Sequence, residues 1–423
     1  MKRFKCLFAG TVLFGLSAAA QAQTAPAEPR GPVPASFWKV GPIGFSGLVD
    51  GYYSLGFNHP ASRINQLRNF DVQANRLSLN MARMTLEHAP DPVGFRLDLG
   101  FGRAFDIVHS GEKDLAVMRN IEQVFVSVKP KQAKGFQADF GKFVTSAGAE
   151  VIGTNSNWNY SRSLLFSWAI PYCHFGLRTS MPLHKHFTAG VQLVNGWNNV
   201  EDNNSGKTVG LTGALATSKI TWSHTYYLGP EKPGANKGYR RLYDTTLLLT
   251  PNPKVNFYLN VDYGADRRIA QGSDTWKGIA GAARFAPSNW FALSPRLEWF
   301  SDADGFAKNT AQSLKEFTLT AEFKIREGIL MRPEYRRDWS DRPFFDRGAS
   351  TGVHKNQDTL LAGIVAYFGP KREGARVEDR PTVGGMVVGD AGSRLLIPRV
   401  LTRRRLGRSG ADSSRHAAGV RLG

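Results

Sequence analysis

The stretch from Gly41 to Asn58 alternates between two kinds of residue over an unusually long run. Its odd positions from Ile43 to Phe57 are mainly apolar, and its even positions from Gly44 onward are mainly small or polar. Because successive side chains of a strand point to opposite faces, the pattern predicts one long strand with an apolar face and a polar face. Soluble strands most often have about five or six residues, whereas a tilted strand that crosses a bilayer needs about nine to eleven. A long strand of a soluble β-sandwich is the alternative, and this stretch does not separate the two.

The same alternation recurs along the chain and predicts about sixteen strands between residues 43 and 370. The clearest repeats lie at 93–101, 255–263 and 317–325, where every second residue is apolar. The predicted connections alternate between short turns, such as 90–92, and longer loops. An even number of strands with this rhythm is typical of an outer-membrane barrel, and a sandwich has no reason to alternate its loop lengths. The sequence therefore predicts an all-β fold, a transmembrane antiparallel up-and-down β-barrel over residues 43–370.

Two local features of this pattern are less regular. The alternation changes phase inside the second strand, which predicts a β-bulge near Ala82 and Arg83. Glycine and proline residues between 229 and 237 predict a loop at that point.

The composition excludes a helical membrane protein. Mean hydropathy is -0.30, 21% of the residues are charged, and glycine (44) and phenylalanine (27) are both frequent. Beyond the N-terminus no apolar run approaches the roughly eighteen residues that a spanning helix needs. Turn glycines and strand aromatics are typical of all-β proteins.

The first 22 residues have the pattern of a secretory signal peptide. Lys2, Arg3 and Lys5 precede an apolar run over 6–20, and Ala20-Gln21-Ala22 forms a cleavage motif. A membrane anchor is the alternative, but the apolar run is too short for one. Cleavage would remove Cys6 and leave Cys173 alone, so no internal disulfide is predicted. Residues 23–42 are rich in proline and predict a periplasmic linker.

The formal net charge of +19 is concentrated partly at the two ends of the chain. The remaining charge is spread widely, without the basic stripe typical of nucleic-acid binding, so no nucleic-acid partner is predicted. Residues 371–423 are basic and have the composition of a disordered tail, although Phe368 would fit the end of a closing strand. A frameshifted or read-through end is favoured over a periplasmic arm or an extra module, and no function is assigned to the tail.

Several segments resemble the OmpL-like β-barrel porins of bacterial outer membranes. They are Gly47-Leu48-Val49-Asp50-Gly51-Tyr52-Tyr53 with Phe57-Asn58, Leu67-Arg68-Asn69-Phe70-Asp71, Asp91-Pro92-Val93-Gly94-Phe95, Gly141-Lys142-Phe143, Asn157-Trp158-Asn159-Tyr160-Ser161-Arg162, Asn195-Gly196-Trp197 and Asp202-Asn203-Asn204. The similarity runs from about residue 43 to 370, and the segments are specific only in combination. Asn198 departs from the expected acidic residue, and the basic tail is the larger departure. The resemblance implies a channel but no particular solute.

Residues 146–167 form the longest predicted connection within the barrel. In general porins such a loop folds inward and narrows the pore, and a loop packed outside as a lid is the alternative. The candidate constriction residues are Glu150, Asn157, Trp158, Asn159, Tyr160 and Arg162.

Charged residues of both signs fall on the predicted lumen face. They are Asp50, Arg96, Asp98, Asp139, Arg178, Asp262, Arg296, Glu298, Glu322, Lys324, Arg332, Glu334, Arg336 and Asp338. Such residues line a wet channel and also pair across strands. The run from Arg332 to Asp338 is the sharpest example, and a purely structural salt-bridge ladder is an equal alternative for it. Acids slightly outnumber bases, so the basic net charge does not predict anion selectivity.

No enzyme motif, cofactor or metal site is predicted. The sequence contains neither HExxH nor GxSxG, and Asp302-Ala303-Asp304-Gly305 is only a truncated calcium-loop pattern. The predicted function is an outer-membrane porin for passive diffusion of small hydrophilic solutes or ions. A non-conducting outer-membrane barrel that acts as an adhesin or structural anchor is the alternative. The predicted partners are outer-membrane lipid and small solutes, and a homotrimer is left open.

Overall fold

A computed structural model describes residues 39–112 and 117–369, in which sixteen long strands form a closed ring. Numbered in chain order, the barrel strands are β1 (Ile43–Gly56), β2 (Arg76–His88), β3 (Val93–Phe101), β4 (Ile121–Val128), β5 (Gln137–Val144), β6 (Cys173–His184), β7 (Phe187–Val194), β8 (Thr208–Ala216), β9 (Ile220–Lys232), β10 (Ala235–Asn252), β11 (Val255–Arg267), β12 (Ser273–Phe285), β13 (Phe291–Asp302), β14 (Gln312–Arg326), β15 (Ile329–Ser340) and β16 (Asn356–Phe368). Each strand pairs antiparallel with the strands before and after it in the chain.

The ring closes between the last strand and the first. In β16, Leu360 is the register partner of Leu55, and Phe368 is the partner of Gly47. Closure gives every strand two neighbours, which is what allows a β-sheet to lie in lipid without an unpaired edge. The predicted sixteen-strand antiparallel barrel is confirmed.

Side chains alternate strictly between the two faces of the barrel wall. In β13, Arg296 is 0% exposed and its neighbour Leu297 is 63% exposed. The same contrast holds in β2, where Leu77 is 82% exposed and Asn80 is 0% exposed. The apolar face thus points outward and the polar face inward, which is the reverse of a soluble protein and fits a lipid surround.

The two ends of the barrel differ in their connections. One end, here called the short-turn end, carries tight turns such as 89–92 and 327–328, and the chain enters and leaves the ring there. The other, the long-loop end, carries the connections 57–75, 102–120 and 145–172. Short elements lie in these and the later connections: the helix Arg103–Val108, the 3-10 turns Met118–Asn120 and Thr154–Ser156, the π turn Leu165–Ala169, and the hairpin Phe345–Arg347 with Ser350–His354. No helix in the described ranges is long and apolar enough to cross a bilayer.

The β-bulge in β2 lies two residues before the predicted site. The register shifts where Asp50 and Gly51 face Met81 and Leu79, which leaves Asn80 as the extra residue. The Asp50 carboxylate accepts hydrogen bonds from Met81 N (3.0 Å) and Asn80 Nδ2 (3.1 Å). This contact fixes the bulge at Asn80, and the sequence pattern could not show it because the acceptor comes from another strand.

The predicted loop over 229–237 is wrong. β9 and β10 continue through the predicted loop, with Gly229 opposite Arg240 and Lys232 opposite Ala235. Only residues 233–234 form the turn between them. Glu231 helps to hold this extension because its carboxylate accepts hydrogen bonds from Trp197 N and Thr208 Oγ1.

The predicted signal peptide (1–22) and basic tail (371–423) lie outside the described residues. Of the predicted linker, the structure describes its last four residues. Lys39–Val40 forms a short strand that pairs back onto Gly44 and Ile43.

Candidate functional site

The connection between β5 and β6, residues 145–172, enters the barrel from the long-loop end and is here called the inward loop. Within it only Ser156 is exposed. The loop reaches far toward the other end, because Arg332, three residues into β15 from a short turn, donates a hydrogen bond to Thr154 O at 2.6 Å. The inward loop therefore crosses most of the depth of the barrel.

The six predicted constriction residues all lie on the inward loop and are all buried. Two of them hold the loop in shape. Asn157 Nδ2 donates to Val151 O (2.8 Å) and Gly153 O (3.0 Å), and Arg162 Nε donates to Val151 O (2.9 Å). These bonds satisfy main-chain carbonyls that would otherwise be buried without partners.

The other four predicted residues contact the wall. Glu150 Oε1 accepts a hydrogen bond from Arg296 Nη1 (2.7 Å), and Asn159 Nδ2 donates to Thr320 Oγ1 (2.7 Å). The rings of Trp158 and Tyr258 lie 5.2 Å apart, and those of Tyr160 and Tyr52 lie 5.6 Å apart. Their role in narrowing a pore remains a prediction.

Arg332, Glu334, Arg336 and Asp338 alternate along β15 and are here called the charged ladder. Glu334 accepts hydrogen bonds from two main-chain groups of the inward loop, Tyr160 N (2.7 Å) and Ser161 N (3.0 Å). Arg336 Nη1 donates to the carbonyl of Arg162 at 2.5 Å. Three of the four ladder residues thus bind the backbone of the inward loop directly. The charged ladder therefore attaches the loop to the wall, and this attachment at Glu334 is here called the latch. The ladder residues also form ion pairs.

Arg296 joins the loop to the wall at a second point. Its guanidinium contacts Glu150 on the loop (2.7 Å) and two wall carboxylates, Glu316 (3.1 Å) and Glu298 (3.2 Å). It also donates to Ser161 O at 2.9 Å. All of these side chains are buried, so their charges depend on one another for compensation.

The remaining predicted lumen charges lie on the inner face of the barrel as well. Asp139 and Arg178 form an ion pair at 2.8 Å, and Arg96 and Asp98 form another at 2.9 Å. The Arg178 side chain is 17% exposed and that of Arg96 is 25% exposed, in contrast to the fully shielded charges around Arg296. The lumen is therefore less tightly filled along β3 to β6 than along β13 to β15.

The sequence analysis missed a second segment inside the barrel, in the connection 57–75. Arg68 on this segment donates to Asp338 of the charged ladder at 2.7 Å and also pairs with Asp71. Phe70 is 0% exposed and packs against Phe166 of the inward loop, with ring centroids 5.8 Å apart. Its polar composition resembled that of an ordinary external loop, and the apolar residues Leu67 and Phe70 within it were the available signal.

Glu316 was also missed among the lumen charges. It lies on β14 with the same inward phase as Thr318 and Glu322, so extending the alternation by one step would have found it.

Burial alters the acid–base behaviour of the inward loop. It raises the pKa of the Tyr160 hydroxyl well above its usual value, and the negative charge of Asp50 raises it further. Burial lowers the pKa of the Arg162 guanidinium, although Glu150 and Asp50 oppose the change. Tyr160 therefore stays protonated over the physiological range.

One group of described residues has the side chains of a metal site. Ligand atoms of His109, Glu112 and Cys173 lie within 4.8 Å of one another and are buried. The Lys142 ammonium already occupies this group, at 2.7 Å from Glu112 Oε1 and 3.3 Å from His109 Nδ1. Burial raises the pKa of Glu112, but hydrogen bonds from His109 and Lys142 outweigh it and the pKa lies below its usual value. The group fits an ion pair better than a metal.

An antiparallel barrel with an apolar outer face, a charged inner face and a long loop folded into its interior is a barrel of the porin class. The family model described as "Putative beta-barrel porin-2, OmpL-like" matches residues 42–368, and the chain belongs to this family. The resemblance inferred from the sequence is thereby confirmed.

Solved outer-membrane proteins share the fold at low sequence identity. The anion-selective porin from Comamonas acidovorans is 10% identical with a TM-score of 0.53, and the match covers 77% of this chain and 99% of that one. OmpT of Vibrio cholerae, in vitro folded and in trimer form, is 11% identical with a TM-score of 0.51 and covers the same shares. Such identities show the fold alone. No protein of curated function matches the chain.

Proposed function

We propose that the protein is an outer-membrane porin through which small hydrophilic solutes or ions diffuse passively, and that the inward loop limits this passage. The family and the fold support a channel. The latch between Glu334 and the main chain of Tyr160 and Ser161 carries the second half of the proposal, because it holds the loop across the lumen. A polar lumen would replace part of a solute's hydration, with no energy coupling and no catalytic step.

The path for solutes would follow the wall formed by β3 to β6. Arg96 and Arg178 keep partial exposure there, and Arg178 stacks over the rings of Phe125 (4.9 Å) and Phe143 (4.5 Å). Charged groups of both signs on this wall can pass ions without a large desolvation cost.

A non-conducting barrel that acts as an adhesin or structural anchor is the second candidate. The dense packing of the inward loop favours it, because Arg296, Arg332 and Arg336 are each at most 1% exposed. A barrel filled in this way would keep its shape without any transport.

Conductance of the purified chain in a planar lipid bilayer separates the two. Stable current steps that scale with salt concentration are expected from a porin, and small steps are expected because the loop occupies the lumen. A barrel that is folded, as judged by its altered migration on unheated gels, but never conducts would overturn the porin proposal and favour the anchor.

We place the protein in the bacterial outer membrane, in contact with lipid through its apolar face, and propose a homotrimer as its assembly. The trimer form of the Vibrio cholerae OmpT structure supports the latter. The signal peptide at 1–22 remains a prediction, which N-terminal sequencing of the membrane-bound protein would test. Analytical ultracentrifugation in detergent would show a single-chain mass if the trimer proposal is wrong.

A further inference from the structure

Two aspartates on neighbouring strands face the interior side by side. Asp244 on β10 and Asp262 on β11 are direct register partners, and each is 1% exposed. Cβ atoms of such partners lie about 4.5–5.5 Å apart, so the two carboxylates are neighbours. If both carboxylates are ionised, the pair is a concentrated negative charge away from water.

These carboxylates have few partners among the described residues. Asp244 accepts hydrogen bonds from Asn260 Nδ2 at 2.7 Å and from the main chain of Gly148. The carboxyl group of Asp262 lies beside Asp244 and Asn260, but neither of its oxygens accepts a hydrogen bond of ordinary geometry. The Oγ1 of Thr246, the next inward residue on β10, is also buried without a partner. No ion pair between described residues involves either aspartate.

This arrangement contrasts with the other charges of the lumen. Glu150 on the inward loop and the wall acids Glu316 and Asp139 each have an arginine within 3.1 Å. A buried carboxylate without a partner is too costly to persist in water-free surroundings. Something that the described residues do not supply must balance the pair.

The start of the inward loop covers the aspartates. Thr225, the register partner of Asp244 on β9, donates to Ser146 O at 3.1 Å. Ala149 N donates to Asn260 Oδ1 at 3.3 Å. The pair thus lies between the wall and the backbone of residues 146–149, and the main chain of Gly148 donates a hydrogen bond to Asp244.

We propose that Asp244, Asp262 and the Thr246 hydroxyl bind a divalent cation of the calcium class. A divalent ion balances the two negative charges, and the donors are all oxygen atoms, which calcium prefers and zinc or copper does not. Calcium takes about six to eight oxygen ligands in flexible geometry, whereas magnesium demands a rigid octahedron and keeps most of its water. Carbonyls of residues 146–149 or water would complete the shell.

The cation would tie the first residues of the inward loop to the barrel wall at β10 and β11, about four strands along the ring from Glu334 on β15. This inference does not depend on conduction, because a non-conducting barrel would need the same charge balance.

A shared proton is the competing explanation, since one protonated aspartate could donate to the other. The two explanations differ in a measurable way. A cation site binds calcium and loses it when one carboxylate is made neutral, whereas a proton-sharing pair binds none and tolerates the same change.

The test uses the full chain purified in detergent, stripped with EDTA and dialysed against radioactive calcium. Asp262→Asn and Asp244→Asn neutralise the pair with little change in shape. Asp106→Asn is the matched control, because the Asp106 side chain is 45% exposed and its carboxylate already pairs with Arg119 at 3.3 Å.

Wild type and Asp106→Asn should each retain one calcium ion more per chain than Asp262→Asn or Asp244→Asn. Calcium should raise the melting temperature of the wild type and the control variant but not that of Asp262→Asn or Asp244→Asn. Equal binding by wild type and Asp262→Asn would overturn the proposal. If the variants fail to fold, the wild type decides: a melting temperature that is the same in calcium and in EDTA also overturns it.

Discussion

Replacing Glu334 by glutamine should loosen the inward loop. The carboxylate accepts hydrogen bonds from Tyr160 N (2.7 Å) and Ser161 N (3.0 Å), and Glu334 itself is 2% exposed. A glutamine keeps one acceptor oxygen but turns an NH₂ group toward the second main-chain donor. The main-chain N–H that faces this NH₂ group is then buried without an acceptor, and two hydrogen-bond donors face each other.

The size of the effect follows from these two bonds. A hydrogen bond to a charged group contributes about 1.5–3 kcal/mol, and an unsatisfied buried donor costs about 1–3 kcal/mol. We therefore expect Glu334→Gln to weaken the loop's attachment by about 3 kcal/mol. That corresponds to a roughly hundredfold change in the ratio of loop-in to loop-out states, since about 1.4 kcal/mol is tenfold.

Single-channel recording in planar bilayers measures this ratio through the time spent in each conductance state. Glu334→Gln should show longer or larger openings than the wild type. Asp266→Asn is the matched control, because it removes the same charge from β11, where the carboxylate pairs with Lys232 (2.9 Å) and Arg240 (2.8 Å) and not with the loop or the proposed solute path. Identical open times in wild type and a correctly folded Glu334→Gln would refute the latch.

Three further changes give expected outcomes. A Cβ added at Gly363 would lie 2.3 Å from the Tyr160 ring, so Gly363→Ala should displace the inward loop and raise the conductance without unfolding the barrel. Arg296→Met leaves the surrounding carboxylates buried without compensation and should lower the free energy of unfolding by about 3–5 kcal/mol, measured by urea titration in lipid vesicles. The folded-state pKa of Glu112 lies below its unfolded value, so its stabilising contribution is complete above about pH 5 and is lost as the pH falls through the folded pKa. The difference in unfolding free energy between wild type and Glu112→Gln should therefore shrink as the pH falls below about 5.

Each of these outcomes has a control. Gly281→Ala adds a methyl group that meets no atom closer than 3.8 Å, so its conductance should match the wild type. Arg337 is 38% exposed and pairs with Asp358 at 3.4 Å, so Arg337→Met should cost under about 1 kcal/mol. A Glu112→Gln difference that is the same at every pH would contradict the assigned pKa direction.

Much of the candidate site could be predicted from the amino-acid sequence. The phase of each strand placed Arg296, Glu298 and Glu334 on one face, because the two-residue period of a strand holds wherever lipid lies on one side and polar groups lie on the other. The long connection after β5 indicated the inward loop by its length alone. The missed Glu316 belonged to the same pattern and needed only one more step along β14.

Contacts between distant segments could not be read in this way. The bulge at Asn80 depends on Asp50 in another strand, and the extension of β9 beyond Gly229 depends on pairing with β10. The entry of Arg68 into the lumen depends on Asp338, which lies 270 residues later in the chain. No local pattern encodes such partners.

The sequence by itself determined the barrel, its strand number and the inner face of its wall. The reason is that contact with lipid on one side requires apolar and polar residues to alternate along every strand. Only the tertiary structure decided how full the lumen is. Glu334 either faces water or accepts a hydrogen bond from the main chain of Tyr160, depending on the position of residues 145–172. That position is set by contacts with many strands at once. Some of the charges that a strand pattern assigns to a wet channel, among them Arg296, Glu334 and Arg336, are therefore bonded to the inward loop in the folded protein.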